Sequence, residues 1–294
     1  MQNVSVSLWP GRFIFGEERW AGACGHRMRY LRGGSGPPLV LVHGLMGYSF
    51  SWRRNLEQLA NHYTVFAIDL PGIGFSERPP RGGYEFDLKS IAERLLVWMD
   101  SEGMRGADVI GTSHGGGIAM FMADIDQQEG TGLVDKLVLV ASINPWSKVG
   151  RRRTRFFAHP LGAMCMRAFQ PSLGLLREWG LRSMYADPRK ITEETRAGYD
   201  APLVIRGTVD YLLGIVQYWH EDLAKVEAAM HRISEKRILL LWGARDRAVP
   251  VQSAYEMQKR LPGSDLVVLK GVGHLPYEES PLEFNTTVLQ FLGH

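Results

Sequence analysis

The chain reads as an α/β protein: a mostly parallel twisted sheet with helices on both faces and an inserted helical cap. Two observations carry this expectation. First, short apolar runs at 39–43, 64–70, 107–110, 136–141, 237–243 and 266–271 alternate with helical patterns, as in strands joined by crossover helices. They are continuously apolar rather than alternating, which suits strands covered on both faces. Second, from about 147 to 232 the strand signal stops. Helical segments separated by Pro160, Pro171, Pro188 and Pro202 replace it, rich in large side chains. The expected organisation is a core made of 1–146 and 233–294, with a cap at 147–232.

In order along the chain, Arg27 to Arg32 alternates polar and apolar residues, as on a half-exposed antiparallel strand. Gly33-Gly34-Ser35-Gly36 then turns into LVLVH, which ends at His43-Gly44-Leu45. A helix is expected from Trp52 to His62, followed by the strand TVFAIDL, which closes on Pro71-Gly72-Ile73-Gly74. The next helix, about 87–101, places Leu88, Ile91, Leu95, Val97 and Trp98 on an inward face. KLVLVA is the fourth parallel strand and ends at Ser142-Ile143-Asn144-Pro145-Trp146. After the cap, RILLLWG and LVVLKG complete the sheet.

Composition excludes several classes. Of 294 residues, 34 are Lys or Arg and 31 Asp or Glu, a net +3 that argues neither for nucleic acid nor for a membrane surface. The one dense basic run, Gly150 to Arg155, reads as a solvated surface turn. No histidine spacing matches a metal site and no glycine pattern completes a dinucleotide fingerprint, so neither metal nor cofactor is expected. Cys24 and Cys165 read as free thiols. With an N-terminus that lacks a secretory core and no apolar run of membrane-spanning length, they lead to an expectation of a cytoplasmic protein.

The chemistry starts at ADVIGTSHGGG (107–117), where a buried strand stops at Gly111-Thr112-Ser113-His114-Gly115 and a helical pattern begins at once. Glycines two places either side of Ser113 permit a sharp turn that points Oγ out of the fold, a nucleophile elbow. Asp246 follows the 237–243 strand and His274 follows the 266–271 strand. All three therefore fall at the carboxyl edge of the sheet, where open parallel sheets form their crevices. A serine needs a neutral imidazole to take its proton, and the imidazole needs an acid to hold its tautomer.

HGLMGYSFSW (43–52), DLPGIGFSERP (69–79), GTSHGG (111–116), LLWGARDRAVP (240–250) and GVGHLPYEESP (271–281) together resemble an α/β-hydrolase with a helical cap. The resemblance implies a Ser113–Asp246–His274 triad and an oxyanion hole made by the backbone N–H groups of Leu45 and His114, with His43 bracing its loop. Around 43–52 and 69–79 the chain is also similar to epoxide hydrolases and haloalkane dehalogenases. Those use a carboxylate where this chain has Ser113. Opening an epoxide with serine would leave an ether that His274 and water could not cleave, whereas an acyl-serine ester can be cleaved. The expected function is therefore hydrolysis of small to medium apolar or aromatic carboxylic esters through an acyl-enzyme, with a small-molecule ester and water as partners. Trp146, Trp179, Tyr218 and Trp219 are the candidate substrate contacts. The same triad admits a carbon–carbon bond hydrolase or lyase, and the fold admits a non-enzymatic ligand receptor.

Overall fold

The computed structural model describes residues 15–22, 25–168 and 174–294. Among them eight strands form one sheet: β1 (Glu17–Ala21), β2 (Met28–Gly33), β3 (Pro38–Val42), β4 (Thr64–Ile68), β5 (Ala107–Thr112), β6 (Val134–Val140), β7 (Ile238–Gly243) and β8 (Asp265–Leu269). Their spatial order is β1-β2-β4-β3-β5-β6-β7-β8. β2 runs antiparallel to β1 and β4, and every later pair is parallel.

The continuous apolar runs are explained by burial on both faces. Val40, Val42, Val109, Leu137 and Leu139 point into one hydrophobic cluster, while Leu39, Leu41, Ile110, Val138 and Val140 point into another across the sheet. Period-two alternation sends neighbours to opposite faces, so both must be apolar. β8, at the edge, is only partly buried.

Eleven α-helices are described: α1 (Leu56–Ala60), α2 (Leu88–Ser101), α3 (His114–Glu129), α4 (Arg151–Ala158), α5 (Pro160–Ala168), α6 (Gly174–Met184), α7 (Glu193–Asp200), α8 (Thr208–Arg232), α9 (Gln252–Arg260), α10 (Pro276–Glu279) and α11 (Pro281–Leu292). α2 begins where Asp87 accepts the Ser90 N–H at 3.0 Å, a side-chain cap. It buries Leu88, Ile91, Leu95 and Trp98, but Val97 is 56% exposed. Two residues beyond Leu95 lies nearly the opposite side of a helix. The helix expected at 52–62 is instead a 3-10 turn, Ser49–Trp52, and the short α1. Between them Asn55 is drawn to the Tyr277 carbonyl and the Asn285 side chain.

Helices α4 to α8 lie between β6 and β7, the position of the expected insertion. The last turns of α8 join the helical layer of the sheet, where Arg232 donates twice to Asp124 of α3, each at 2.6 Å. No helix among the described residues is long and apolar enough to cross a membrane.

Candidate active site

Ser113 sits between β5 and α3 with φ 52° and ψ −117°. A side-chain-bearing residue holds such a conformation at a cost of about 1–3 kcal/mol, so its neighbours must impose it. Its N–H donates to Val140 at 2.9 Å, and its carbonyl accepts from Ile143 at 3.1 Å, tying the turn to β6 and the loop beyond it. The flanking glycines are needed for close approach. A Cβ on Gly111 would run into the Gly115 carbonyl, and one on Gly115 into the carbonyls of Val42 and His43.

Asp246 follows β7 and His274 follows β8, as their strands dictate. His274 Nδ1 lies 2.8 Å from Asp246 Oδ2, and both residues are buried. Asp246 Oδ1 accepts the N–H groups of Ala248 and Val249, each at 2.8 Å, which fixes the carboxylate plane. With its second oxygen placed to accept from Nδ1–H, it favours the tautomer whose lone pair is on Nε2, the one a general base requires. Ser113 and His274 line one cavity of about 1450 Å³.

The loop of Gly44 and Leu45 packs directly on the serine: a Cβ on Gly44 would stand 3.1 Å from Ser113 Cβ. Met46 holds φ 66°, and the Leu45 N–H has no acceptor among the described residues. His114 opens α3, where an N–H has no acceptor within the helix. His43 is fully occupied, with Nε2 accepting the Leu70 N–H at 3.0 Å and Nδ1 donating to the Gly44 carbonyl at 2.8 Å. It ties the ends of β3 and β4 together, and burial holds its titration down. The His114 ring is buried, and among the described residues neither of its nitrogens has a hydrogen-bond partner. Burial, then His43, push its pKa down to about 3, so it is neutral.

The four candidate aromatics separate. Trp179 and Trp219 line the cavity, and Trp219 stacks on the His114 ring with centroids 6.1 Å apart. Trp146 and Tyr218 do not line it. Trp146 packs against the core and takes the Arg260 guanidinium over its ring at 4.6 Å, while Tyr218 faces a smaller cavity beside Gly72 and Pro79. Composition marks the cap as aromatic, but only the way its helices dock decides which rings turn toward Ser113.

Several residues have roles that nothing local announces. Glu278 is buried and receives both Nη atoms of Arg53 at 2.6 and 2.8 Å and the hydroxyls of Tyr185 and Tyr199. Glu279, also buried, accepts the N–H groups of Gly273, Ala186 and Asp187 at 2.8–3.0 Å. The His274 N–H in turn donates to the Met184 carbonyl at 2.7 Å. One carboxylate thus joins the histidine loop to the segment after α6. Asn144, at the end of β6, is a loop builder whose Oδ1 accepts from Trp146 and Ser147. Asp69 is bound to Arg29 at 3.0 Å and to the N–H groups of Ser49 and Phe75.

The basic run at 150–155 is exposed, as expected, but it forms a helix start rather than a turn. It opens α4, and Lys148 to Arg153 line the cavity mouth, held there by Arg151 donating to the carbonyls of Ser147 and Pro145. Cys165 is a free thiol on the cavity wall, and Cys24 lies outside the described residues. Among the described residues no cluster of three or more His, Cys, Asp or Glu is arranged to hold a metal.

The family model described as alpha/beta hydrolase fold matches residues 37–281. The chain is 30% identical over 279 residues to a dihydrolipoyllysine-residue acetyltransferase component of the acetoin cleaving system of Cupriavidus necator, covering 94% of this chain and 69% of that one. It is 26% identical over 279 residues to the 2-hydroxymuconate semialdehyde hydrolase of Pseudomonas sp. strain CF600, with 92% of each covered. Among solved structures, the epoxide hydrolase CorEH superposes with a TM-score of 0.79 at 23% identity, over 94% of this chain and 98% of that one.

Proposed function

The chain belongs to the alpha/beta hydrolase fold family, and from that premise we propose that it hydrolyses carboxylic esters of small to medium apolar or aromatic groups through an acyl-serine at Ser113. The observation that carries this reading is that a strained Ser113 lines the same cavity as His274, whose Nδ1 lies 2.8 Å from Asp246. Ser113 Oγ attacks the acyl carbon as His274 Nε2 takes its proton, and Asp246 balances the imidazolium. The N–H groups of Leu45 and His114 receive the developing oxyanion, an interaction worth ~3 kcal/mol per donor in related chemistry. The alkoxide leaves with the proton from His274, which then deprotonates the water that releases the acid.

The cap is assigned to α4 through the first turns of α8, with Trp179 and Trp219 as its aromatic contacts to substrate and a cytoplasmic site of action. An aryl ester should show a burst of phenolate whenever deacylation is slower than acylation. Ser113→Ala should fold normally and show neither burst nor turnover. Near-wild-type activity in that variant would remove the reading. The likeness over 92% of the chain to the 2-hydroxymuconate semialdehyde hydrolase favours a second reading, carbon–carbon bond hydrolysis by the same serine. Turnover of a vinylogous diketone with simple esters inert would establish it in place of the first.

A further inference from the structure

We propose that the cavity mouth selects an ester bearing an anionic group on the end remote from the scissile bond, the apolar wall taking the chain between them. This rests on the ester reading above. The chain as a whole is nearly balanced, 34 cations against 31 anions, yet the residues lining this cavity include seven Lys or Arg and only two acids. The two acids offset only part of that excess, since the cations on Glu178 are two of the seven. Glu178 is engaged by Arg196 at 3.2 Å and by Arg182 at 3.6 Å, and Asp200 has a partner of its own. Lys148, Arg152 and Arg247 have no ion-pair or hydrogen-bond partner for their side chains among the described residues, and all three are exposed at the mouth.

The start of α4 points the same way. A helix favours acids in its first turn, where its N–H groups and dipole are positive. α4 has none there and carries Arg151, Arg152 and Arg153 instead. Three adjacent like charges on the positive end of a helix work against the stability of that helix, and an anion at the mouth relieves the repulsion. The positive field is felt nearby, for the His220 titration is held down by burial and then by Arg155 and Arg151. Farther in, the wall is apolar, with Leu45, Ile143, Leu212, Leu223, Val249 and Leu275 along it. An apolar throat with a cationic rim matches an amphiphile whose charge stays outside.

Monoethyl suberate and ethyl octanoate test this, since they differ only in a terminal carboxylate against a methyl group. Wild-type kcat/KM should favour monoethyl suberate by about tenfold at low salt, the sum expected of a few partly exposed charge contacts, and the preference should shrink in 0.5 M NaCl, where the Debye length falls to about 4 Å. The triple variant Lys148→Gln, Arg152→Gln, Arg247→Gln should lose the preference while cleaving ethyl octanoate as before. Binding of both compounds to Ser113→Ala, measured by calorimetry, separates the two claims. Salt-sensitive preference for monoethyl suberate there, with neither ester cleaved by the wild type, would uphold anion selection and sink the ester reading. Equal or weaker binding of monoethyl suberate overturns the inference whatever the turnover.

Discussion

Glu279→Gln removes a charge that touches no substrate, yet it should slow the reaction. Oε2 of Glu279 accepts from Gly273 at 2.8 Å and from Ala186 at 2.9 Å, and Oε1 accepts from Asp187 at 3.0 Å. A glutamine keeps at best one oxygen. If that oxygen faces Gly273 and Ala186, its NH2 confronts the Asp187 N–H, donor against donor. One N–H left unsatisfied costs about 1–3 kcal/mol, and the half-buried setting of Asp187 favours the low end. For a chain of this size about 1 kcal/mol lowers Tm by roughly 2–4 °C. The kinetic effect should be larger. Gly273 precedes His274, so loosening it lets the imidazole drift, and a 1 Å misplacement can cost about 100-fold. Stopped-flow cleavage of an aryl ester, at least 20 °C below the variant's Tm as a rough margin for ordinary unfolding, should show a lower acylation rate in a protein that is folded throughout. Wild-type acylation together with an unchanged Tm would refute the idea that this carboxylate positions the histidine.

Asp246→Asn should reduce turnover by about 10⁴-fold, because the amide oxygen would keep the Ala248 and Val249 N–H groups and turn its NH2 toward His274, enforcing the wrong tautomer; activity surviving in this variant but lost in Asp69→Asn would move the acid elsewhere. Gly115→Ala should fail as a fold rather than as a catalyst, since its Cβ meets the backbone carbonyls of Val42 and His43, and circular dichroism melts will separate the two. Asp222 offers a pH test. Burial raises its carboxyl to about 7, so between roughly pH 4 and 7 the folded chain holds a proton that the unfolded chain has released, and stability falls as pH rises through that window. Asp222→Asn, whose amide oxygen still accepts the Leu88 N–H, should flatten that slope and stabilise the protein at pH 8 by up to about 4 kcal/mol. Parallel pH–stability curves for the two proteins would count against it.

The sequence by itself determined the parallel strands of the sheet and the places of Ser113, Asp246 and His274 at their ends, but neither β1 nor the order of the strands. These signals are mostly local: an apolar run marks a strand covered on both faces, parallel strands end at one edge, and Gly111 answers to the Gly115 carbonyl four residues on, although Gly115 itself answers to the carbonyls of Val42 and His43 at the end of β3. The tertiary structure alone decided the rest. Residue type says that Trp146, Trp179, Tyr218 and Trp219 have rings to pack, but not what those rings meet, so two of them turn to the cavity and two away. The tract Tyr277-Glu278-Glu279 carries no local mark of burial, and its carboxylates are dry only because Arg53, the hydroxyls of Tyr185 and Tyr199 and the backbone at 186–187 converge on them from distant parts of the chain. The arginines at 151–153 read as solvent-facing for the same reason. Their charge is plain in the sequence, but the cavity they share with Ser113 exists only once α4 packs on α5 and α8.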